Sequence, residues 1–132
     1  MGSFITEITV RYAESDQMGL AHHSNYLVWM EQARIEAMSA VGFDYGKLEE
    51  SDYLLAVVDL KVSYIKPSRF GDKLKLYSRA NVLSGVRIAF ITDFLNQNGV
   101  KIAEGTAELA CIGRSGKPKR LPAEFISALK LN

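Results

Sequence analysis

One segment of the chain predicts a helix that must be surrounded at one end. From Tyr26 to Val41 there is neither Gly nor Pro, and Gly42 follows as a residue that commonly ends helices in the left-handed conformation. Residues 26–30 are all apolar, so the helix begins without a polar face. An apolar face then continues at three- and four-residue spacing through Ala33, Ala37, Met38 and Val41. A helix that is apolar all round needs neighbours on every side, whereas an amphipathic one can lie on a surface.

Most of the remaining chain alternates between apolar and polar residues, as half-buried strands do. The predicted strands are Phe4–Tyr12, Leu54–Lys66, Lys73–Leu83, Val86–Leu95 and Val100–Ile112, and short helices are predicted at Tyr45–Glu50 and Pro122–Leu131. Turn residues at 84–85 and 96–99 predict that the last four strands follow one another largely as antiparallel hairpins.

The last predicted strand carries unusually small side chains on one side. Ala103, Gly105 and Ala107 share that side, which lets a bulky group approach the sheet closely. The helix residues Trp29 and Met30 are the expected neighbours.

This order of elements predicts an α+β fold, in which a curved antiparallel sheet of about five strands wraps one long central helix in a single domain, residues 1–132. Such a sheet leaves edge strands and an outer face that is partly apolar. The apolar residues expected there are Tyr77, Leu83, Ile91, Leu95, Ile102 and Ile112. We therefore expect a homo-oligomer, a dimer or a tetramer, that covers them.

Composition excludes several classes of protein. With 48% hydrophobic and 23% charged residues the chain is not of the disordered type. Sixteen Lys and Arg against fifteen Asp and Glu leave a net charge of +1, which argues against nucleic acid as a partner. The one cysteine, Cys111, excludes an intrachain disulfide and a Cys-based zinc site, and no metal is expected. No apolar stretch approaches the roughly 18 residues of a membrane span, so a cytoplasmic location is expected.

The connection between the first strand and the helix concentrates the titratable residues. It contains Asp16 and the adjacent pair His22 and His23, immediately before the helix begins. Unpaired N–H groups and the helix dipole favour negative charge at that point, so a carboxylate beside it would complete the requirements of acyl transfer, a base or nucleophile and an oxyanion donor. A plainer interpretation stays open, in which Asp16 is a turn residue and Ser24 or Asn25 caps the helix.

Two longer motifs run through the chain. The first reads Arg11-Tyr12-x-x-Ser15-Asp16-x-x-Gly19-x-x-x-His23-x-Asn25-Tyr26, with Glu31-x-Ala33-Arg34 after it. The second reads Val62-x-Tyr64-x-x-Pro67-x-x-x-Gly71-Asp72-x-Leu74. Together they resemble the signatures of the 4-hydroxybenzoyl-CoA thioesterase-like acyl-CoA thioesterases, which have the hot-dog fold. Ser15 stands where Thr is common, and Ala21-His22 replaces larger or aromatic residues, which bears on the acyl pocket.

The resemblance implies an enzyme that hydrolyses an acyl-CoA thioester to a free carboxylic acid and coenzyme A. Coenzyme A would be part of the substrate, and no metal or organic cofactor is implied. Asp16 would act as general base or as nucleophile, and the backbone N–H of His23 would polarise the thioester oxygen. Gly19 would make the sharp turn that brings Asp16 opposite the helix end.

The same resemblance implies contacts to the substrate. Tyr12 would position the substrate from the end of the first strand. Tyr26, with Trp29 and Met30, is able to bound an acyl pocket and is equally at home in the core, and this choice stays open.

Arg87 would meet the nucleotide end of coenzyme A. Apart from the resemblance, Lys117 belongs to the densest basic run of the chain, residues 114–120, which is either a phosphate-recognition loop or a solvated loop. Two alternatives remain: a non-catalytic protein that binds acyl thioesters, and a hot-dog dehydratase or hydratase. The acyl group, and the choice between coenzyme A and acyl carrier protein as its carrier, are left open.

Overall fold

Five strands and three α-helices follow one another in the described residues, 4–131, of the computed structural model. The ends of the predicted domain, residues 1–3 and 132, lie outside the described residues. In chain order the elements are β1 (Phe4–Thr9), α1 (Ser24–Ala40), α2 (Tyr45–Glu50), β2 (Leu54–Tyr64), β3 (Lys73–Val82), β4 (Arg87–Leu95), β5 (Lys101–Ile112) and α3 (Ala123–Leu131). The predicted α+β class, with one long helix and five strands, is confirmed.

The sheet has the order β1-β3-β4-β5-β2, and every neighbouring pair is antiparallel. The predicted run of consecutive hairpins is correct from β3 to β5 and wrong for β2, which pairs with β5 at the far edge. The physical reason is that residues 65–72 form a connection too long for a tight turn. Its main-chain groups make hydrogen bonds to other loops instead. Ala21 N–H donates to Ser68 O over 2.8 Å, and Gly71 N–H donates to Val10 O over 2.9 Å. This connection therefore crosses the start of α1 and covers it.

Helix α1 occupies the centre of the molecule. Its N-terminal half, with Trp29 and Ala33, packs into one apolar cluster together with Leu76 and Phe94 of the sheet. Its C-terminal half, with Met38, packs into a second cluster that includes side chains of α3. The prediction of a helix surrounded at its start is correct for one side only: Trp29 is 2% exposed and Ala33 is fully buried, whereas Leu27 is 38% and Val28 is 60% exposed.

Close approach between α1 and the sheet depends on Gly105. A Cβ placed on this glycine would stand 2.5 Å from Met30 Sδ and 2.7 Å from Met30 Cε. Met30 is itself 2% exposed, so its thioether has no solvent to move into. Of the two bulky residues expected against the small side chains of β5, Met30 occupies the space above Gly105.

One residue expected on the outer face of the sheet lies in the core. Ile102 is 1% exposed and belongs to the cluster around the first half of α1. The pairing of β4 with β5 shifts between Phe94 and Leu95, because Phe94 lies opposite Ala103 whereas Leu95 lies opposite Lys101. This bulge leaves Ile102 without a partner on β4 and breaks the strict alternation from which the outward position was predicted.

Substituting Gly105→Ala should lower the free energy of unfolding by about 1–3 kcal/mol, because the added methyl group forces buried Met30 off its packed position. Urea titration of the variant measures this. In a double-mutant cycle with Met30→Ala, the combined loss should be smaller than the sum of the single losses, because the alanine methyl enters space that Met30 vacates. Strict additivity would show that the contact does not limit packing there.

Candidate active site

An open cavity of about 360 Å³ lies at the N-terminal end of α1. Residues 16, 20–23, 26 and 64–67 line it, so the loop before the helix forms one side and the end of β2 forms the other. The cavity brings together Asp16, His23 and Tyr26 from the predicted site. A second cavity, of about 380 Å³, lies between β1, β3 and the 96–99 turn, but its lining residues include no helix start. Only the first therefore combines a predicted acid with helix N–H groups.

The Asp16 loop is a tight turn held by its own hydrogen bonds. Asp16 N–H donates to Leu20 O over 2.7 Å, and Gly19 adopts a φ of +77°, in the left-handed region that favours glycine. Asp16 Oδ1 accepts from Met18 N–H over 2.8 Å and from Leu20 N–H over 3.1 Å. Within the described part of the chain, Asp16 Oδ2 has no hydrogen-bond or ion-pair partner. Asp16 Oδ1 is therefore a turn acceptor, as the plainer interpretation expects, whereas Asp16 Oδ2 is left available to bind or react.

The start of α1 is capped locally, and the predicted cap is wrong. The helix begins at Ser24, so Ser24 and Asn25 lie inside its first turn, and the N-cap residue is His23. Ser24 N–H donates to His22 Nδ1 over 3.3 Å, and Asn25 N–H donates to His22 O over 3.1 Å. The main-chain N–H of His23 makes no hydrogen bond to the described residues. His23 lines the cavity, and its N–H is the main-chain donor left without a partner at this helix end among the described residues.

A buried carboxylate, Glu14, lies behind the Asp16 loop. The side chain of Glu14 is 8% exposed. Its Oε1 accepts from Arg11 N–H over 2.8 Å, and its Oε2 accepts from the indole N–H of Trp29 over 2.9 Å. Burial alone would raise the pKa of this carboxyl, but the hydrogen bonds from Arg11 and Trp29, with the charge of Arg11, outweigh burial and hold the pKa below its ordinary value. Glu14 is therefore ionised and fully bonded.

Two tyrosines build the wall opposite the Asp16 loop. Tyr26 is 2% exposed, and its hydroxyl is 2.7 Å from Ser68 Oγ. Tyr64, from the end of β2, donates its hydroxyl hydrogen to His23 O over 3.0 Å. The two rings meet edge to face with centroids 5.1 Å apart. Burial raises the pKa of the Tyr64 phenol, with Tyr26 adding to the rise, so the hydroxyl keeps its proton as a donor.

Sequence reasoning missed Tyr64 and Lys66, which also lines the cavity. The available signal was the second motif, which places Tyr64 and Pro67 at the end of a strand and in the connection that follows. The motif alone does not place these residues at the site, because the course of residues 64–67 across the helix start depends on which strand pairs with β2.

Tyr12 lies outside the cavity in this chain. Strand β1 ends at Thr9 instead of the predicted Tyr12, and Tyr12 opens a single 3-10 turn, Tyr12–Glu14. Its side chain is 78% exposed, and its ring meets the ring of Phe70 edge to face at 5.6 Å.

Arg87 and Lys117 lie at the opposite end of the sheet from the cavity. Arg87 is paired with Ala110 on β5, whereas the cavity residue Tyr64 is paired with Ala103, seven residues along the same strand. At about 3.3 Å per residue the separation along the sheet is about 23 Å. Arg87 Nη1 is 3.2 Å from Glu108 Oε2, and Lys117 is exposed in the turn after β5.

The basic turn that carries Lys117 is anchored to the segment before β2. Arg114 N–H donates to Asp52 Oδ1 over 2.7 Å, and the Arg114 guanidinium donates to Glu49 O over 2.9 Å. Lys119 Nζ donates to Asp52 O over 3.0 Å and stands 4.1 Å from the centre of the Tyr53 ring. These two basic residues therefore have structural contacts, and Lys117 is left facing solvent.

Two further observations concern residues 4–131. No three His, Cys, Asp or Glu side chains are grouped so as to hold a metal ion. None of the described helices has both the length and the apolar character needed to cross a membrane.

An antiparallel five-stranded sheet packed around one long helix is the architecture of the hot-dog thioesterases. The sequence matches the model of the Thioesterase-like superfamily over residues 3–129, and the chain belongs to that family. The protein is accordingly an enzyme, a thioester hydrolase.

Individual relatives agree with this assignment. The Bacillus subtilis protein YneP is 36% identical over 120 residues, which are 90% of this chain and 87% of the relative. The acyl-CoA thioesterase YbgC of Haemophilus influenzae is 28% identical over 127 residues, 95% of this chain and 93% of that protein. The crystal structure of a DHNA-CoA thioesterase from Staphylococcus aureus is 34% identical, with a TM-score of 0.93, and the match covers 99% of this chain and 91% of that one.

Proposed function

We propose that the protein hydrolyses an acyl-CoA thioester in the cavity at the start of α1, with Asp16 as the catalytic carboxylate and the His23 N–H as the oxyanion donor. One observation carries the proposal: Asp16 Oδ2 and the His23 N–H are without partners among the described residues, and both residues line the same cavity. Membership of the family supports the reaction type.

The proposed reaction can begin in two ways. As a general base, Asp16 takes a proton from water while the water oxygen bonds to the thioester carbon. As a nucleophile, Asp16 itself bonds to that carbon, and water later cleaves the resulting anhydride. In both cases the carbonyl oxygen becomes negative and accepts a hydrogen bond from His23 N–H, with the dipole of α1 adding stabilisation. The C–S bond then breaks and the thiolate of coenzyme A leaves.

Few groups suffice for this chemistry because a thiolate is a good leaving group. Its departure needs less acid assistance than the departure of an amine. Proton transfer by a positioned carboxylate and one oxyanion donor each contribute on the order of 10²–10³-fold to the rate. Exposed Lys66, on the cavity wall, supplies positive charge where the anionic coenzyme A portion would enter.

The proposed enzyme is a homodimer or a dimer of dimers, built on the exposed edge of β2. Beyond β5, this strand has no partner in the sheet order, and its inner face is poorly covered: Val57 is 44% exposed and Leu60 is 42% exposed. The neighbouring face of α1 exposes Leu27 and Ile35. We define these four residues as the β2 groove. A second copy fits it because an open strand edge pairs with another strand, and an apolar face is covered by a similar face.

A two-fold dimer on this edge would also explain where Lys117 lies. Antiparallel pairing of two β2 strands places the beginning of one beside the end of the other. The turn that follows β5 lies at the beginning of β2, because Leu54 pairs with Ile112. Lys117 of the partner subunit would therefore approach the cavity of this subunit, in which Tyr64 ends β2.

Asp16→Asn should reduce kcat for acyl-CoA hydrolysis by about 10²–10³-fold and leave the fold intact, because asparagine retains the Oδ1 acceptor of the turn but cannot serve as the base or nucleophile. Release of free thiol from a panel of acyl-CoAs measures the rate. The matched control is Asp44→Asn, since Asp44 Oδ1 similarly accepts from Gly46 N–H over 2.9 Å at the start of α2.

Three other results would contradict this assignment. Full activity of Asp16→Asn would remove Asp16 from the mechanism. Loss of enoyl absorbance without thiol release would identify a dehydratase or hydratase. Binding of acyl-CoA by the wild type without turnover would identify a binding protein.

Leu60→Asp should convert the wild-type oligomer to a monomer at micromolar concentration, because it buries an unpaired charge in the β2 groove. Sedimentation velocity measures the change. The control is Val28→Asp, because Val28 is 60% exposed but lies beside Gln32 on the side of α1 toward β1. A monomeric wild type, or equal dissociation by both variants, would contradict the proposed interface.

Lys66→Ala should raise KM for acyl-CoA at low ionic strength, and the effect should shrink as salt screens the phosphates. Lys117→Ala and Arg87→Ala should do the same across the proposed dimer, because Arg87 lies opposite Ala110, which pairs with Ala56 near the beginning of β2. One exposed ion pair contributes about 0.2–1 kcal/mol, so each rise should be at most about fivefold. Lys75→Ala, an exposed lysine of β3, is the control. A residue whose variant shows a salt-independent KM, or no change, does not contact phosphate.

A further inference from the structure

We propose that Glu14 is a positioning residue, which holds the Asp16 loop in register with the start of α1 and thereby sets the rate of hydrolysis. The effect on rate rests on the proposed function, whereas the positioning itself does not. Glu14 is two residues from Asp16 and lies outside the cavity lining, so it acts through Asp16 and the helix start without touching the substrate.

Both the side chain and the main-chain carbonyl of Glu14 accept hydrogen bonds from residues of α1. Its side chain accepts the indole N–H of Trp29, in the second turn of the helix, over 2.9 Å. Its main-chain carbonyl accepts from the Asn25 side-chain amide over 2.8 Å, and also from His22 N–H over 2.9 Å, just before the helix. Among the described residues, the hydrogen bonds that join residues 11–16 directly to α1 are those from Trp29 and Asn25, and Glu14 accepts both.

Other bonds of the Asp16 loop do not replace this link. Those of Asp16 itself, to Met18, Gly19 and Leu20, lie within the turn and would move with it. Ala21 N–H donates to Ser68 O, which ties the far side of the turn to the connection after β2. The turn is thus supported from the β2 side by Ser68 and from the helix side by Glu14. Loss of the Glu14 side-chain acceptor would leave only the bond from the Asn25 amide to the Glu14 carbonyl on the helix side.

Only a carboxylate matches the donors around this position. The Arg11 N–H and the Arg11 guanidinium lie on one side, with Arg11 Nε 3.3 Å from Glu14 Oε1, and the Trp29 indole N–H lies on the other. All of these groups donate, so each carboxylate oxygen must accept. Glutamine has the same shape but would turn an NH2 group toward one of these donors. Because misplacement of a reacting group by about 1 Å lowers a rate by about 10²-fold, a small shift here is sufficient to be measured.

The test compares Glu14→Gln with Ser78→Ala in steady-state hydrolysis. Ser78 Oγ is 3.2 Å from Thr92 Oγ1 in the buried sheet interior, so Ser78→Ala also leaves a buried polar group unpaired, away from the cavity. Glu14→Gln should lower kcat by about 10–100-fold with KM within about twofold, whereas Ser78→Ala should lower Tm and leave kcat unchanged. In the Asp16→Asn background, Glu14→Gln should cause little further loss, because the group that it positions is gone.

Amide hydrogen exchange supplies a readout that does not depend on activity. Glu14→Gln should increase exchange at His22, whose acceptor is the Glu14 carbonyl, and at Leu20 in the adjoining turn, by at least about tenfold, with Phe90 of β4 unchanged. If exchange at His22 and Leu20 is unchanged, or rises equally at Phe90, the positioning role is overturned. A fall in kcat no larger than that of Ser78→Ala overturns its effect on catalysis. If exchange at His22 and Leu20 rises in Glu14→Gln but the wild type hydrolyses no acyl-CoA, the positioning role is supported and the proposed function is refuted.

Discussion

Tyr26, Trp29 and Met30 at the start of α1 are buried because the chain on both sides of the helix folds over that end. In this protein the Asp16 loop precedes α1, and the connection of residues 65–72 crosses its start. Loops satisfy their main-chain groups by bonding to one another, as in the bond from Ala21 N–H to Ser68 O. The covering of an apolar helix end therefore assembles a polar cavity above it, with Tyr26 as the shared boundary.

The hydrogen bonds at this helix end divide its polar groups into two sets. His22 accepts the N–H groups of Ser24 and Asn25, and the Asp16 turn uses Oδ1 for its own amides. One carboxylate oxygen of Asp16 and the main-chain N–H of His23 remain without partners among the described residues. The same local bonding that makes the loop a stable turn thus leaves unbonded the two groups on which the proposed mechanism is built.

Local sequence patterns were enough to predict much of the fold, whereas the rest depends on pairing between residues far apart in sequence. Strand periodicity and the uninterrupted run before Gly42 were enough to place α1 and the five strands, and the proximity of Asp16, His23 and Tyr26 follows from their closeness in sequence. The partner of β2 was not predictable from a neighbouring turn, since β5 is 37 residues further along, from Tyr64 to Lys101. Tyr64, and the inward position of Ile102 at a bulge, depend on that pairing and on the register of β4. Glu14 carries no signal of burial in the sequence, because a charged residue beside a loop is usually exposed.

Tyr26 belongs to the core as well as to the cavity, and this limits how the pocket can diversify. Its ring packs against Trp29 and Phe94 at centroid distances of 5.0 and 5.3 Å, so a smaller residue there would open a void in the interior. Residues 65–67 on the opposite wall are exposed, so their side chains can change without opening the interior. Evolution toward bulkier acyl groups should therefore proceed by substitution on the side of β2, with the aromatic floor inherited unchanged.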